Sequence, residues 1–412
     1  MNKKTISTLI GGTALLGFGL VAAAQTSTGP VRPQYEIPSS SRANDDGPRG
    51  VMLQDGVAFY PKVGLWAGQD DNMFQTSSNK KSSAFYGASP GFKIQARNES
   101  GLYTFDVDSA LVRYQSSSSD NYADYNARGT AEFVMGASLG LRLGVDYNRG
   151  HDARGTTDRT FANRPDVFRN TGPSMLVAYG ANDARGRVEF EAGSFQKRYQ
   201  NNPAATVGSN RDTENIAGRF FMRIAPKTSF LVEARNDKYD YTLFNSQQDS
   251  WERRYLAGVT WEATAATSGT IKAGRIEKNF RSSAIKDFSG TGWEAAINWA
   301  PITYSKFDFY TAKTFSESTG FGDFALSKRY GANWTHGWNS KLSTTASINR
   351  SEDEFVNTAR NDTTDTLGFK VNYKLYRGFT VGGEYNYTDR DSSVSGFRFK
   401  RSIYMLTLGA TL

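Results

Sequence analysis

The stretch Leu139-Gly140-Leu141-Arg142-Leu143-Gly144-Val145-Asp146-Tyr147 sets Leu139, Leu141, Leu143, Val145 and Tyr147 on one side of an extended chain. Gly140, Arg142, Gly144 and Asp146 fall on the other side. Successive side chains of a β-strand point to opposite faces, so a strict period of two marks a strand with one apolar and one polar face. The same pattern sets Leu367, Phe369, Val371, Tyr373 and Leu375 against Gly368, Lys370, Asn372 and Lys374. It returns at 379–387, and at 293–299, where Trp293, Ala295, Ile297 and Trp299 oppose Glu294, Ala296 and Asn298. No window sustains a helical period over several turns.

Working outward from these segments, residues 55–412 repeat one unit, an alternating segment followed by turn residues, and predict about 18 strands. The connections alternate in length. Short ones fall at 98–100, 136–137, 182–184, 225–227, 264–267, 300–302, 336–339 and 375–378. Longer polar ones fall at 69–83, 115–121, 151–171, 199–211, 242–249, 281–289, 316–323, 352–363 and 389–395. Short turns on one rim and long loops on the other are the pattern of a transmembrane antiparallel up-and-down β-barrel. An even strand count leaves both termini on the short-turn, periplasmic side. A soluble β-sandwich has little use for so many long strands, and a propeller would show a blade-length repeat, which is not visible. Tyr404, Leu406, Leu408, Ala410 and Leu412 carry an apolar face to the last residue. That ending is similar to the signal read by the barrel-assembly machinery, although Leu412 stands where an aromatic residue is usual.

The N-terminus reads as a targeting segment. Asn2, Lys3 and Lys4 precede an apolar run from Ile6 to Val21, and Ala22-Ala23-Ala24 offers a cleavage site before Gln25. This predicts a Sec-type signal peptide over 1–24. Residues 25–54 are rich in Pro, Ser, Gly and Arg without periodicity and predict a flexible periplasmic tail. The mean hydropathy of −0.55 suits a barrel, in which only alternate residues face lipid. Abundant Gly (40), Phe (27) and Tyr (21) suit strands with aromatic girdles. With no Cys there is neither a disulfide framework nor a thiolate metal site. The +8 formal charge is interleaved with acids instead of clustered, which argues against a nucleic-acid partner.

Catalytic chemistry finds no support. The two histidines, His151 and His336, are expected at opposite rims, so they cannot form one site, and serine-hydrolase chemistry needs Ser, His and an acid converging. Hydrolase, zincin, P-loop and EF-hand motifs are absent, and no cofactor is implied. Asp70-Asp71-Asn72 could hold a cation, but clustered loop acids are more commonly just solvated. Extending the alternation turns Arg142, Asp146, Arg187, Glu189, Glu191, Arg219, Arg223, Glu233, Arg235, Glu262, Lys272, Glu294, Asp308, Arg329, Lys341, Lys370 and Glu384 toward the interior. So many charges imply a hydrated lumen, which a barrel of this size can enclose. Within 151–171 the polar residues His151, Asp152, Arg154, Arg159, Arg164 and Asp166 would meet a solute if the loop folded inward. Outward projection is the plainer expectation.

Several phrases in order carry a family likeness: Phe59-Tyr60-Pro61-Lys62-Val63-Gly64-Leu65, Asp70-Asp71-Asn72, Ser89-Pro90-Gly91-Phe92, Tyr122-Ala123-Asp124-Tyr125 and His151-Asp152-Ala153-Arg154-Gly155. With them the chain resembles the outer-membrane β-barrel porins associated with exopolysaccharide biosynthesis, the EpsL-type proteins. The resemblance implies an outer-membrane channel that helps export a secreted or capsular polysaccharide beside a periplasmic polysaccharide-export protein. The alternatives from other classes are a general diffusion porin for small solutes and a structural or surface-binding barrel.

Overall fold

The computed structural model describes residues 50–412 apart from 158–162, 182–183, 265, 319 and 321. The expected signal peptide, and the expected tail up to residue 49, lie outside the described residues. The chain opens with a short strand β1 (Val51–Gln54), followed by β2 (Val57–Asp70), β3 (Ser83–Arg97), β4 (Gly101–Tyr114), β5 (Tyr122–Met135) and β6 (Leu139–Asp152). Next come β7 (Asp166–Tyr179), β8 (Gly186–Tyr199), β9 (Arg211–Ala225), β10 (Thr228–Tyr241), β11 (Ser250–Thr264) and β12 (Thr267–Phe280). The last are β13 (Phe288–Ile302), β14 (Ser305–Glu317), β15 (Phe324–Gly337), β16 (Leu342–Phe355), β17 (Asn361–Tyr376), β18 (Phe379–Ser392) and β19 (Phe399–Thr411).

From β2 onward each strand pairs antiparallel with the next, and β19 returns to β2, closing an 18-strand barrel. Closure removes both sheet edges, so no row of backbone donors meets lipid unpaired. The seam runs from Ile403↔Asp70 to Thr411↔Lys62. It is pinned by Arg401, whose Nη2 lies 2.5 Å from the buried Asp70 carboxylate. Asp70 also accepts the backbone N–H of Asn72 at 3.0 Å, and Asp71 accepts that of Ser402 at 2.7 Å. These acids thus fasten the first long loop to the closing strand, the opposite of freely solvated side chains.

The outer face is apolar where the alternation predicts it. Leu143, Val145, Phe190, Phe220, Leu367, Phe369 and Leu406 are all exposed, Leu406 at 73%. Such a surface is a liability in water and the low-energy choice against hydrocarbon. Aromatics collect near the short-turn rim: Trp299 stacks on Phe307 at 5.1 Å, and His336 meets Trp338 at 4.5 Å.

Three boundaries differ from expectation. Residues 51–54, assigned to the tail, form β1, which pairs with β2 through Val51↔Phe59 and Met52↔Ala58. Lys341, expected on the wall, is exposed in the turn before β16, where Asn339 Oδ1 accepts the N–H groups of Lys341 and Leu342, both at 2.8 Å. On the long-loop side the strands outrun the apolar pattern. β7 begins at Asp166, and the connection expected over 151–171 shrinks to 153–165, because backbone pairing such as Asp152↔Asp166 does not need apolar side chains.

Candidate functional site

The inner wall of β8 to β13 carries one continuous ion network. Arg187 meets Glu189 at 2.9 Å. Arg219 stands among three acids, Glu191 at 2.6 Å, Glu233 at 2.7 Å and Glu189 at 3.5 Å. Arg235 reaches Glu191 at 3.6 Å. Lys272 bridges Glu233 and Glu294, both at 2.9 Å, and Arg254 meets Glu294 at 3.3 Å and Glu252 at 3.1 Å. The strand register builds the network, since Glu189↔Arg219, Arg219↔Glu233 and Lys272↔Glu294 are directly opposite. Opposite charges in that position stabilise a strand pair. Glu189, Glu233, Glu252 and Arg254 are buried, a state tolerable only because each faces counter-ions.

Above this network the end of β14 parts from β13 while staying paired with β15 as far as Glu317↔Phe324. Its pairing with β13 stops at Trp293↔Lys313, while β13 continues along β12 as far as Phe288. Beyond Lys313 the chain turns inward, and Phe315, Phe324 and Leu326 pack on Ile276, Phe280 and Ile285. Glu317 arrives beside the fully buried Lys278 ammonium and accepts the Tyr241 hydroxyl. Lys278 also holds Glu252 at 3.1 Å. This side of the lumen is packed.

The wall of β5 and β6 is wetter. Arg142 pairs with Glu132 at 3.0 Å and Arg128 with Asp146 at 2.5 Å, and both arginines keep more than two fifths of their surface open. Lys370 faces Glu384 at 3.8 Å on β17 and β18. Glu262 and Arg223 reach the short-turn rim, where Glu262 is exposed and Arg223 N–H donates to Arg185 O at 2.8 Å. Asp308 meets Lys306 at 2.9 Å, and Arg329 lies beside Tyr310.

The connection after β6 splits in two directions. His151 bonds Asp124 at 2.9 Å and stacks on Tyr122, and Asp152 accepts the Tyr199 hydroxyl at 2.7 Å. Arg154 donates to Asp120 at 2.7 Å, with its guanidinium 3.6 Å from the Phe74 ring centre. Gly155, at φ +79°, is so close to Phe74 and Gln75 that a Cβ would sit 2.7 Å from each. Its carbonyl accepts from Arg390 of β18 at 3.3 Å, with β5, β4, β3, β2 and β19 lying between β6 and that strand. The 153–157 segment therefore folds across the interior, contrary to simple outward projection. At the other end Arg164 donates to Asn202 at 3.0 Å and buried Asp166 accepts from it at 2.6 Å. Arg159 lies outside the described residues.

Sequence reasoning missed Glu252, Arg254, Lys278, Arg360, Arg390 and Glu317. Glu252 and Arg254 share the parity of buried Leu256, and Lys278 that of Ile276, so extending the alternation to the strand ends would have found them. Arg360 is fully buried between the Phe355 and Phe397 rings, at 4.2 and 3.7 Å, and bonds Asp362 at 2.6 Å.

Residues 57–411 match the sequence family described as "Putative beta-barrel porin 2". Among solved structures, OccK2 (OpdF) from Pseudomonas aeruginosa is similar at 9% identity and TM-score 0.50, covering 87% of this chain and 98% of that one. A BenF-like porin from Pseudomonas fluorescens Pf-5 is similar at 8% identity and TM-score 0.50, covering 88% and 100%. OccAB3 from Acinetobacter baumannii is similar at 10% identity and TM-score 0.49, covering 87% and 100%. No curated protein matches.

Proposed function

The chain belongs to the beta-barrel porin family whose profile it matches, a family of the bacterial outer membrane, and from that premise we propose that it is a diffusion channel for small hydrophilic solutes. The observation that carries this reading is the packed half of the interior. Glu189, Glu233, Glu252, Arg254 and Lys278 all stand on the inner wall yet are buried. Two segments, 314–317 and 153–157, further fill the lumen from opposite sides. What stays open is bordered by wet ion pairs of both signs, which offer many weak polar contacts and little preference between anions and cations. A permeating solute needs such sites to be weak enough to leave.

We place both described chain ends at the periplasmic rim, where Gly50 N–H meets Leu412 O at 3.3 Å beside the short turns. Vesicles loaded with the purified protein test the function by swelling in solutes of increasing size. Monosaccharides and amino acids should enter, with rates falling steeply as size grows. Equal entry of a long oligosaccharide, or entry of no solute, would refute the reading.

Export of a polysaccharide, which the EpsL-type resemblance implies, gains nothing from the comparisons, which return porins. A polymer also asks for a conduit open along its length. A periplasmic polysaccharide-export partner belongs to that second reading alone. A deletion strain that stops secreting its polysaccharide would revive both.

A further inference from the structure

On the outer face, just beyond the apolar band on the long-loop side, the strands carry a belt of charges. Around much of the circumference cations directly face acids, at Lys238↔Glu214, Arg253↔Glu277, Lys328↔Glu352, Arg350↔Asp365 and Lys400↔Asp389, and the lysine pair Lys313↔Lys328 has Glu352 on its other side. Arg350 and Asp365 form a two-pronged pair, 2.7 Å on each prong. On β6 to β8 that order breaks. Arg149 faces Arg169, and Arg169 faces Arg198. Arg113 of β4 joins the row, donating to Tyr122 O at 3.5 Å while Arg149 donates to the adjacent Ala123 carbonyl.

Among the described residues Asp212, 2.5 Å from Arg198, is the acid that reaches this row. Arg149 turns to the neutral Gln200 at 3.2 Å. The Arg169 Nε is buried with no hydrogen-bond partner among the described residues. Like charges directly opposite destabilise a strand pair, so a row of this kind calls for an external anion. Its height says which one. Directly below on β6 the outer face is Tyr147, Val145 and Leu143, while on β7 and β8 Thr171, Gln196 and Ser194 come between the row and Met175, Val177 and Phe190. Arg149 lies over the Tyr125 ring at 5.9 Å. The row therefore sits where hydrocarbon gives way to headgroups. A planar guanidinium fork matches phosphate oxygens two at a time.

We propose that Arg113, Arg149, Arg169 and Arg198 form a binding site for the phosphate groups of an anionic outer-leaflet glycolipid, whose acyl chains run down the apolar wall below. The assignment rests on the reading that the long loops face the cell exterior. The test uses the full chain in non-ionic detergent, titrated with diphosphoryl lipid A, with phosphatidylcholine and with inorganic phosphate, and followed by native mass spectrometry. Lipid A should saturate one site that phosphatidylcholine does not fill. Arg149→Gln with Arg169→Gln should weaken it on the order of twenty-fivefold, about fivefold for each arginine. Arg350→Gln, from a balanced pair, should leave it unchanged, and heat-modified gel mobility should report all variants folded.

Equal binding of both lipids, an equal loss in Arg350→Gln, or displacement by millimolar inorganic phosphate would overturn the proposal. Because the chain has no Cys, Gln247→Cys in the long 242–249 connection gives a clean orientation marker on intact cells. Labelling without lipid A binding overturns the lipid site alone. Lipid A binding without labelling overturns the orientation and, with it, the outer-leaflet assignment.

Discussion

Replacing Lys278 by Met removes the cation at the centre of the packed half of the lumen while keeping most of its volume. Lys278 is fully buried, holds Glu252 at 3.1 Å and bonds Glu317, so the substitution leaves two carboxylates facing one another's field in a closed space. Glu252 keeps Arg254 at 3.1 Å, and Glu317 keeps the Tyr241 hydroxyl and the field of buried Arg211 but loses its ammonium contact. Breaking a buried pair from one side costs about 3–5 kcal/mol. Glu317 is the group that must escape, and it sits on the β14 end that has already left β13. The expected result is destabilisation of that size, read by urea unfolding from lipid vesicles, together with a larger single-channel conductance as the segment swings away. Adding Glu317→Gln should restore part of the stability, with a coupling of about 0.5–3 kcal/mol. A Lys278→Met protein within about 1 kcal/mol of the parent, with unchanged conductance, would refute the claim that this ion cluster holds the segment inside.

Other outcomes follow from the same geometry. Arg360→Lys should cost nearly as much as Arg360→Ala in the same unfolding assay, because an ammonium cannot both stack between Phe355 and Phe397 and bond Asp362 in two-pronged fashion. Gly258→Ala should lower the yield of folded, heat-modifiable barrel, since its Cβ would lie 1.9 Å from Ile271 O, an overpacking of about 1–3 kcal/mol. Asp287, in the connection between β12 and β13, accepts the N–H of Phe280 at 2.9 Å and the amide of Asn279 at 3.1 Å, which hold its pKa below the ordinary carboxylate value. A depressed folded pKa adds stability that is complete above the ordinary value near 4 and is lost as pH falls through the lowered one. Asp287→Asn should therefore flatten the acid limb of the stability–pH curve and leave the neutral plateau shifted by a constant amount.

The barrel was legible because lipid enforces the period of two on one face. Leu139 to Tyr147 could be read outright, and the alternation of short and long connections supplied the topology. The inner face obeys no such single rule, and there the reading thinned. Parity places Phe315 with Thr311 and Lys313, yet Phe315 is buried against Ile276 and Phe280. Alternation holds only while a strand follows its neighbour, and β14 stops following β13 at Lys313. Charges at interior parity implied water, but they do not reveal whether cross-strand partners close over them, as around Arg219, or leave them wet, as around Arg142. Asp70-Asp71 looked like a solvated or cation-binding pair because its partners, Arg401 and Ser402, lie at the far end of the chain and meet it only on closure.

Single-channel recording in planar bilayers tests the central claim most directly. An outer-membrane barrel with a partly packed, mixed-charge lumen should give discrete, small, weakly ion-selective steps that grow when Lys278→Met frees the inner segment. A protein that is folded by gel mobility yet gives no steps, or gives large steps that Lys278→Met leaves unaltered, would contradict the account.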